Sequence, residues 1–567
     1  MSQNAAIPVK NSCLLLIFKQ AFIIVLLFLF ACTNSGQNPE KLVVHTPEKL
    51  QQKASDIIKN IIELAIRNNG KIDDTILLSM SGVVKEIYKN NEFKPAWEHK
   101  GNWEPIGDSL FNLIGSSNLF GLFPEDYHYR QLVSIRSRFD IDSLGEKDRM
   151  DAALWARADL MMTDAFLRIV RDLKLGRLPQ DSITLRTDSV LSTDFYKEQL
   201  SAIQSKKPLN EIVSNLEPKH QGYHQLKAGI RKFLDSADYR EYIKVPFPKD
   251  STFTMALQRR LFQAGFISFD STRADSIQLN EAVKKFQKHA GVNVDGRVGE
   301  VTIRLLNTSD RERFISIAIT LDRFKMLPEK MPDRYLWVNL PGYYLQLVEN
   351  DTGRLYSKII CGKTVTRSPV LTSAISELIT YPQWTVPRSI IQKEILPAAK
   401  KNPGYITKKG FSLLDSKGNE IHPDSVNWSK YTRSIPYRVV QGSGDANALG
   451  VLKFNFSNKY SVYLHDTNQR YLFSSNDRAM SHGCIRVQNW EALAFDIIRN
   501  EETDGNSKED SVKKWLHYKQ KRSFTVRNRL PLFIRYFTCE GKNGNIVFYD
   551  DIYGEDKMLQ EKYFANK

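Results

Sequence analysis

The sequence predicts a multi-domain α+β protein, and three observations carry that expectation. The chain has 567 residues, more than a single hydrophobic core ordinarily serves. Helical periodicity runs through most of residues 53–245, whereas from Arg334 onward apolar residues recur at every second position. Between them, residues 251–307 hold three short amphipathic segments, enough for a small helical module. The composition, 42% apolar and 25% charged, is that of globular chains and excludes a largely disordered one.

The N-terminus reads as an export segment. Lys10 and Lys19 precede an unbroken apolar run from Ala21 to Ala31, shorter than the roughly 20 residues a membrane-spanning helix needs. The run ends Leu29-Phe30-Ala31-Cys32, a small residue before Cys with Leu three positions ahead of it, which resembles a bacterial lipobox. Residues 1–32 are therefore expected to be a lipoprotein signal peptide, Cys32 the lipidated first residue of the mature chain, and 33–50 a polar tether. The alternative is an uncleaved N-terminal anchor with Cys32 incidental. Both put the bulk of the chain outside the cytoplasmic membrane. The net charge of +16 is spread along the chain without a long Lys/Arg run. It reads as a solvated basic surface, weakly drawn to anionic envelope polymers, rather than as a nucleic-acid site.

Residues 51–250 are expected to form a helical scaffold. Its clearest stripe is Met162, Phe166, Ile169, Val170 and Leu173, spaced for one helix face and assigned to core, not chemistry. Val245–Asp250 reads as a linker. In 251–307, Leu257, Leu261 and Phe262 mark one helix, and Ala282, Val283, Phe286 and Ala290 a second. A turn at Asp295-Gly296 leads to a third, ending near Asn307. The module holds no candidate catalytic group.

Residues 334–500 are expected to be β-rich. Tyr335–Leu340 and Tyr344–Val348 read as strands, with a hairpin turn at Asp351-Thr352-Gly353. The pattern breaks over 392–440, which reads as an insertion. Tyr460–His465 reads as a strand with Tyr460, Val462 and Leu464 on one face and Tyr463 and His465 on the other. Residues 490–499 read as a helix capped by Asn489. The extension 501–567 carries a hairpin across Asn543-Gly544, with arms over 523–550.

The chain has five Cys. Cys13 and Cys32 fall in the export segment, leaving Cys361, Cys484 and Cys539. Three widely spaced thiols make neither a disulfide ladder nor a CxxC zinc pair. An unpaired Cys in an oxidising compartment needs a reason, and catalysis is one.

The chemistry concentrates in Ser481-His482-Gly483-Cys484-Ile485-Arg486, with His465 upstream. A Cys nucleophile reacts as thiolate and needs a base or a positive surround. Two His and one Arg are at hand. Gly483, without a Cβ, lets the backbone turn its N–H groups toward a ligand, where they would form an oxyanion hole. In an extended segment His482 and Cys484 would share a face. A buried structural Cys is one alternative. A zinc site from His465, His482 and Cys484 is another, for which no fourth ligand stands out.

This motif resembles the YkuD family of L,D-transpeptidases, whose pattern is a His, a spacer, then Ser-His-Gly-Cys leading to Arg or Asn. Residues 251–307, with Leu257-Gln-Arg-Arg-Leu261, Phe286-Gln287 and Val294-Asp-Gly296, resemble a peptidoglycan-binding type 1 domain. Gly121-Leu-Phe-Pro-Glu-Asp-Tyr-His128, Asp164-Ala-Phe-Leu-Arg168, Gly176-Arg-Leu178 and Leu216-Glu-Pro-Lys-His220 resemble the helical scaffold of the large YcbB-type members. Asp550-Asp-Ile-Tyr-Gly-Glu-Asp556 resembles their C-terminal end. The resemblance implies that 392–440 is a capping subdomain over the active site. It also implies that His465 is a general base holding Cys484 as thiolate, and that Cys484 forms a thioester with a tetrapeptide stem, releasing D-Ala. An amine of a second stem would resolve it into a 3–3 cross-link. Ser481, His482, Gly483, Arg486, Tyr463 and Trp384 would shape the substrate site, His482 and Gly483 at the oxyanion and Arg486 either on a substrate carboxylate or bracing the loop. No cofactor or metal is implied. The expected partners are peptidoglycan stems and glycan, the membrane through the lipid, and other wall-synthesis proteins, and carbapenems are expected to acylate the thiol. The expected location is the periplasmic side of a bacterial envelope. An L,D-carboxypeptidase using the same residues and a non-catalytic wall-binding lipoprotein are the alternatives.

Overall fold

The computed structural model describes residues 43–565 except 100, 146–149, 182, 269–274, 293 and 502–504. The expected signal peptide, its Cys32 and most of the tether lie outside the described residues. The last part of the expected tether is ordered. Thr46 caps helix α1 (Pro47–Arg67), its side chain accepting the Lys49 N–H, and Leu50 is fully buried.

The chain divides into two compact units. The first comprises residues up to Ser116, Pro124–Val170 and Ser192–Ile212 and is mostly helical. Most of helix α2 (Ala152–Lys174) belongs to it. The sequence stripe on α2 is only part of its contact surface, because Asp159, Thr163 and Asp164 are buried as well. Those polar side chains tolerate burial because each is bonded. Asp159 accepts the N–H groups of Ala96 and Trp97, Thr163 Oγ1 accepts the Trp97 indole at 2.8 Å, and Asp164 meets His128 at 2.9 Å.

The second unit holds Ser117–Phe123, Arg171–Leu191 and everything from Val213. The expected scaffold, 51–250, is thus not one body. Helix α3 (Gln221–Ser236) buries Tyr223, Leu226 and Ile230 in a core shared with Phe533, Phe537 and Cys539. The three-helix module follows as α4 (Phe253–Gln263), α5 (Ser276–His289) and α6 (Glu300–Asn307), closed around Leu257, Leu261, Val283, Phe286 and Leu306. Val245, expected in a linker, belongs to this core. It is 2% exposed, and its backbone exchanges hydrogen bonds with the Asn307 amide at 2.7 and 2.9 Å.

Helix α7 (Asp310–Lys325) begins with a capping box, Ser309 with Glu312, and fills a stretch that the sequence reading left unassigned. It buries Phe314, Ile315, Ile317, Leu321 and Phe324. These residues cover the outer face of a nine-stranded sheet. The strands are β1 (Arg334–Asn339), β2 (Tyr344–Glu349), β3 (Thr352–Gly362) and β4 (Leu371–Thr380). An inserted subdomain then contributes β5 (Trp384–Thr385), β6 (Phe411–Leu414), β7 (Glu420–Ile421) and β8 (Arg438–Gln441). The sheet resumes with β9 (Leu452–Phe456), β10 (Leu464–His465), β11 (Ala479–Ser481), β12 (Ile485–Val487) and β13 (Arg522–Arg535). Its order is β11-β3-β12-β10-β9-β4-β13-β1-β2, and β2 also pairs with β3, so the sheet closes on itself. Both faces are apolar. On β1, Leu336 and Val338 enter the inner core while Tyr335 and Trp337 face α7. A Leu336→Ala change would cost about 2–5 kcal/mol.

Several expected boundaries move. Strand β13 lies between β4 and β1, so the catalytic sheet extends past residue 500 into the expected C-terminal extension. The hairpin across Asn543-Gly544 is only β14 (Cys539–Lys542) with β15 (Asn545–Phe548). The β2–β3 turn is Asn350-Asp351, both with positive φ (48° and 58°), the type I′ geometry that suits right-twisted strands. Thr352 and Gly353 already pair with β2. Tyr460–Tyr463 is not strand. Asn458 Oδ1 accepts the N–H groups of Tyr460 and Val462, and Ser461 has φ 56°, making a turn that leaves only Leu464–His465 in the sheet. The insertion begins before 392. Its strands pair in the order β7-β6-β8-β5 around its own core of Val386, Ile395, Leu413, Trp428 and Val439.

Candidate active site

Strands β9, β10 and β12 bring the reacting groups together. Lys453 pairs in register with His465, and His465 with Arg486. Alternation buries Leu452, Phe454 and Leu464 in the inner core and leaves Lys453 and His465 on the opposite face, while Tyr463, in the turn before β10, packs against the margin of that core. After Ser481 the chain makes a tight turn. Gly483 has φ +120°, a conformation that L side chains rarely adopt, and the extended geometry that would have aligned His482 with Cys484 is broken there.

Ser481 braces this turn. Its hydroxyl accepts the Gly483 N–H at 3.1 Å and donates to the Cys484 carbonyl at 2.5 Å. The Gly483 amide is therefore occupied and offers no oxyanion contact in this arrangement, contrary to expectation. Three residues outside the motif complete the bracing. Ser368 Oγ donates to the Gly483 carbonyl at 2.7 Å and accepts the Gly362 N–H at 2.9 Å. Thr366 donates to the Ser481 carbonyl, and the Tyr553 hydroxyl to the Gly362 carbonyl.

Protein surrounds the Cys484 thiol densely although the residue keeps partial solvent access. Burial raises its pKa above the ordinary thiol range. Hydrogen bonds from the Tyr463 backbone and side chain, and the charges of Lys453 and Arg486, work the other way. Tyr463 is thus a hydrogen-bonding partner of the sulfur. His465 is fully buried and its Nδ1 donates to the Asp466 carbonyl at 2.5 Å. Burial first, and then the nearby Arg486 cation, push its pKa down to about 3, so the ring is a neutral imidazole at physiological pH. Its ring meets that of Tyr463 edge-on at 5.7 Å. Burial thus favours the neutral form of both members of the pair, the thiol and the imidazole.

Lys453, which the sequence reading missed, sits with its ammonium 4.0 Å from the centre of the Tyr463 ring. The signal was available: a Lys between Leu452 and Phe454 in an alternating strand points away from the core. Arg486 Nη1 donates to Gln469 at 3.1 Å, while its Nε is buried without a hydrogen-bonding partner. Trp384, on β5, has a buried Nε1 that faces the Tyr463 hydroxyl without a well-aligned hydrogen bond. Tyr463 therefore lies beside the thiol, and Trp384 beside Tyr463. His482 turns the other way. It is exposed, and its Nε2 meets Glu394 Oε1 at 2.5 Å. Glu394 lies in a π-helical turn, Ile391–Ile395, of the insertion, and π-turns recur at functional sites.

The other thiols are unsuited to chemistry. Burial pushes Cys361 up to about 12. Cys539 is also raised by burial and donates to Thr320 at 3.3 Å. Among the described residues no three His, Cys, Asp or Glu side chains converge as a metal centre requires; the His482 and His465 rings are engaged elsewhere.

Family models match at 82–229 (scaffold domain), at 251–306 ("Putative peptidoglycan binding domain") and at 333–495 (L,D-transpeptidase catalytic domain, YkuD). A protein of Haemophilus influenzae described as "Putative L,D-transpeptidase" is 34% identical over 286 residues, covering 50% of this chain and 57% of the relative. The chain thus matches little more than half of that relative's length. A solved L,D-transpeptidase from Stackebrandtia nassauensis is 15% identical, covering 52% of this chain and 94% of its own, with a TM-score of 0.19. One from Xylanimonas cellulosilytica, also 15% identical, covers 53% and 98% with a TM-score of 0.16. Those scores are too low for the overlays to carry an argument. On the family matches and the site together, the chain carries a YkuD L,D-transpeptidase catalytic domain joined to a scaffold domain and a peptidoglycan-binding domain.

Proposed function

We propose that this protein is a peptidoglycan L,D-transpeptidase that forms 3–3 cross-links through a thioester on Cys484. The observation that carries the reading is the environment of that thiol, the one Cys in the described body with solvent access, lying against Tyr463 and beside two cations. The tetrapeptide stem enters with the carbonyl of its third residue at the sulfur. The thiol proton leaves to the neutral His465 imidazole as Sγ adds to the carbonyl, and Lys453 and Arg486 favour the negative charge that develops. The intermediate collapses by breaking the bond to terminal D-Ala, whose amine takes the proton from the imidazolium. The side-chain amine of a second stem then adds to the thioester, delivers its proton to His465, and expels the thiolate. That thiolate recovers the proton and the cycle closes. Arg486 Nε suits a substrate carboxylate, being the buried donor without a partner.

The same reading puts the protein in a bacterial envelope, held to the membrane by lipid on Cys32. Replacing Cys32 with Ala should release it into the soluble envelope fraction, and unchanged membrane retention and processing would refute the anchor. The catalytic reading is tested by incubating the purified protein with tetrapeptide muropeptides and weighing the products. Dimers joined between third residues are expected with D-Ala released. Tripeptide monomers alone, with an acceptor present, would make it a carboxypeptidase, and unaltered substrate would refute catalysis.

A further inference from the structure

A cleft of about 380 Å³ opens on the outer face of the sheet, between the start of α3, the β1–β2–β3 strands and β14. We infer that this cleft binds an N-acetylated sugar of the wall glycan, which rests on the peptidoglycan reading above. It lies on the side of β1 that carries Tyr335 and Trp337, whereas Cys484 packs against the core on the other side. Its volume is in the range of small-molecule clefts, about 300–1,000 Å³.

The lining narrows the ligand. His220 caps α3, its Nδ1 accepting the Gly222 N–H at 3.0 Å. The proton of the neutral ring is therefore on Nε2, and that buried N–H has no hydrogen-bonding partner. Burial holds the ring neutral, with its pKa near about 4. The cleft thus presents a donor in want of an acceptor oxygen, and a buried polar group left unpaired costs about 1–3 kcal/mol.

The lining also carries two acidic side chains, Asp351 and Glu540, and no Lys or Arg. An anionic ligand is therefore disfavoured. Glu540 is already occupied, accepting from the hydroxyls of Tyr344 and Tyr549 and from the Asn339 amide. Asp351 is presented by the rigid Asn350-Asp351 turn. Gln346 lies across Gly353, where a Cβ would stand 1.7 Å from its Nε2, so that glycine is what admits the amide to the cleft.

A simple ammonium would suit the carboxylates but offers nothing to the His220 N–H. A neutral ligand with an acceptor, several donors and an apolar face suits all of them. The acetamido carbonyl of an N-acetylhexosamine supplies the acceptor and its hydroxyls the donors for Asp351 and Gln346. Its C–H face would meet only the edges of Trp337 and Tyr335, whose rings are largely buried beneath the cleft.

The test is hydrogen exchange on the full chain carrying Cys484→Ala, titrated with triacetylchitotriose, with maltotriose and cadaverine as controls. Triacetylchitotriose should protect residues 220–226 and 344–353, separately from any response in 251–306. The double variant Asp351→Ala, Gln346→Ala should weaken that protection at least tenfold and leave the 251–306 response unchanged. His220→Asn, which keeps a capping side chain but moves the donor, should weaken it likewise, so the idea survives misfolding of either variant. Protection confined to 251–306, equal protection by maltotriose, protection by cadaverine instead, or folded variants that bind like the parent would each overturn the proposal. Protection by triacetylchitotriose in a protein whose parent leaves muropeptides unaltered would sink the transpeptidase reading and leave the sugar site standing.

Discussion

The barrel-like sheet and the subdomain inserted in it use sequence in opposite ways. In the sheet, neighbouring strands bring Lys453, His465, Cys484 and Arg486 together within a short span of chain. In the insertion, a separate core holds two side chains at the site from far away. Glu394 meets His482 across 88 positions, and Trp384 faces Tyr463. The reacting atoms are a local property of the chain, and the surface around them is a tertiary one. The comparison implies that effects on chemistry should rank by closeness to the thiol and that the insertion should tune rather than make the reaction.

The largest effect should come from Cys484→Ser, with turnover of muropeptides falling by about 10⁴-fold or more. Comparable loss from Cys361→Ser or Cys539→Ser in folded protein would break the ranking. His465→Ala should follow, with kcat/KM down by roughly 10²–10⁴ while iodoacetamide still titrates the thiol. Because the His465 pKa is held down at about 3, the imidazole stays unprotonated as pH falls through 6. No acid limb near the ordinary His value of about 6.5 should appear in kcat/KM, and one that vanishes in His465→Ala would contradict the burial argument. The same depression makes stability fall as pH drops below about 6.5, since the unfolded chain takes up a proton that the folded one refuses.

How much of this was legible follows the same division. The motif, His465, Tyr463 and the three-helix module were readable because spacing and periodicity are local. Lys453 was readable in principle from strand alternation. Ser368, Thr366, Tyr553 and Glu394 were not, because nothing in their own neighbourhoods says which distant loop they brace. Strand β13 was legible only as the arm of a tail hairpin, for a related reason. Its place between β4 and β1 is set by long-range pairing, and its local pattern, with Arg527 and Arg529 in mid-strand, reads as an edge or a tail.

Intermediate effects should come from the cation and the brace. Lys453→Met removes a positive neighbour of the sulfur, so the alkylation rate of Cys484 below pH 8.5 should drop by about tenfold, with the thiol titration moving upward. An unchanged rate would remove Lys453 from the site. Ser368→Ala strands the Gly483 carbonyl and the Gly362 amide, and unfolding free energy should fall by about 1–3 kcal/mol, read by denaturant titration. The smallest effect should be that of Glu394→Gln. The pair with His482 is solvent-exposed, so stability should change by less than about 1 kcal/mol and turnover by a few-fold. A loss as large as that of His465→Ala would make the insertion part of the chemistry and erase the contrast.

The central claim is that Cys484 alone among the three thiols of the described body is a nucleophile. Incubation with a carbapenem, followed by intact mass and peptide mapping, tests it most directly. A single adduct per chain on the peptide containing Cys484, absent from Cys484→Ser, is the predicted result. An adduct on the peptide of Cys361 or Cys539, or an undiminished adduct in Cys484→Ser, would contradict it.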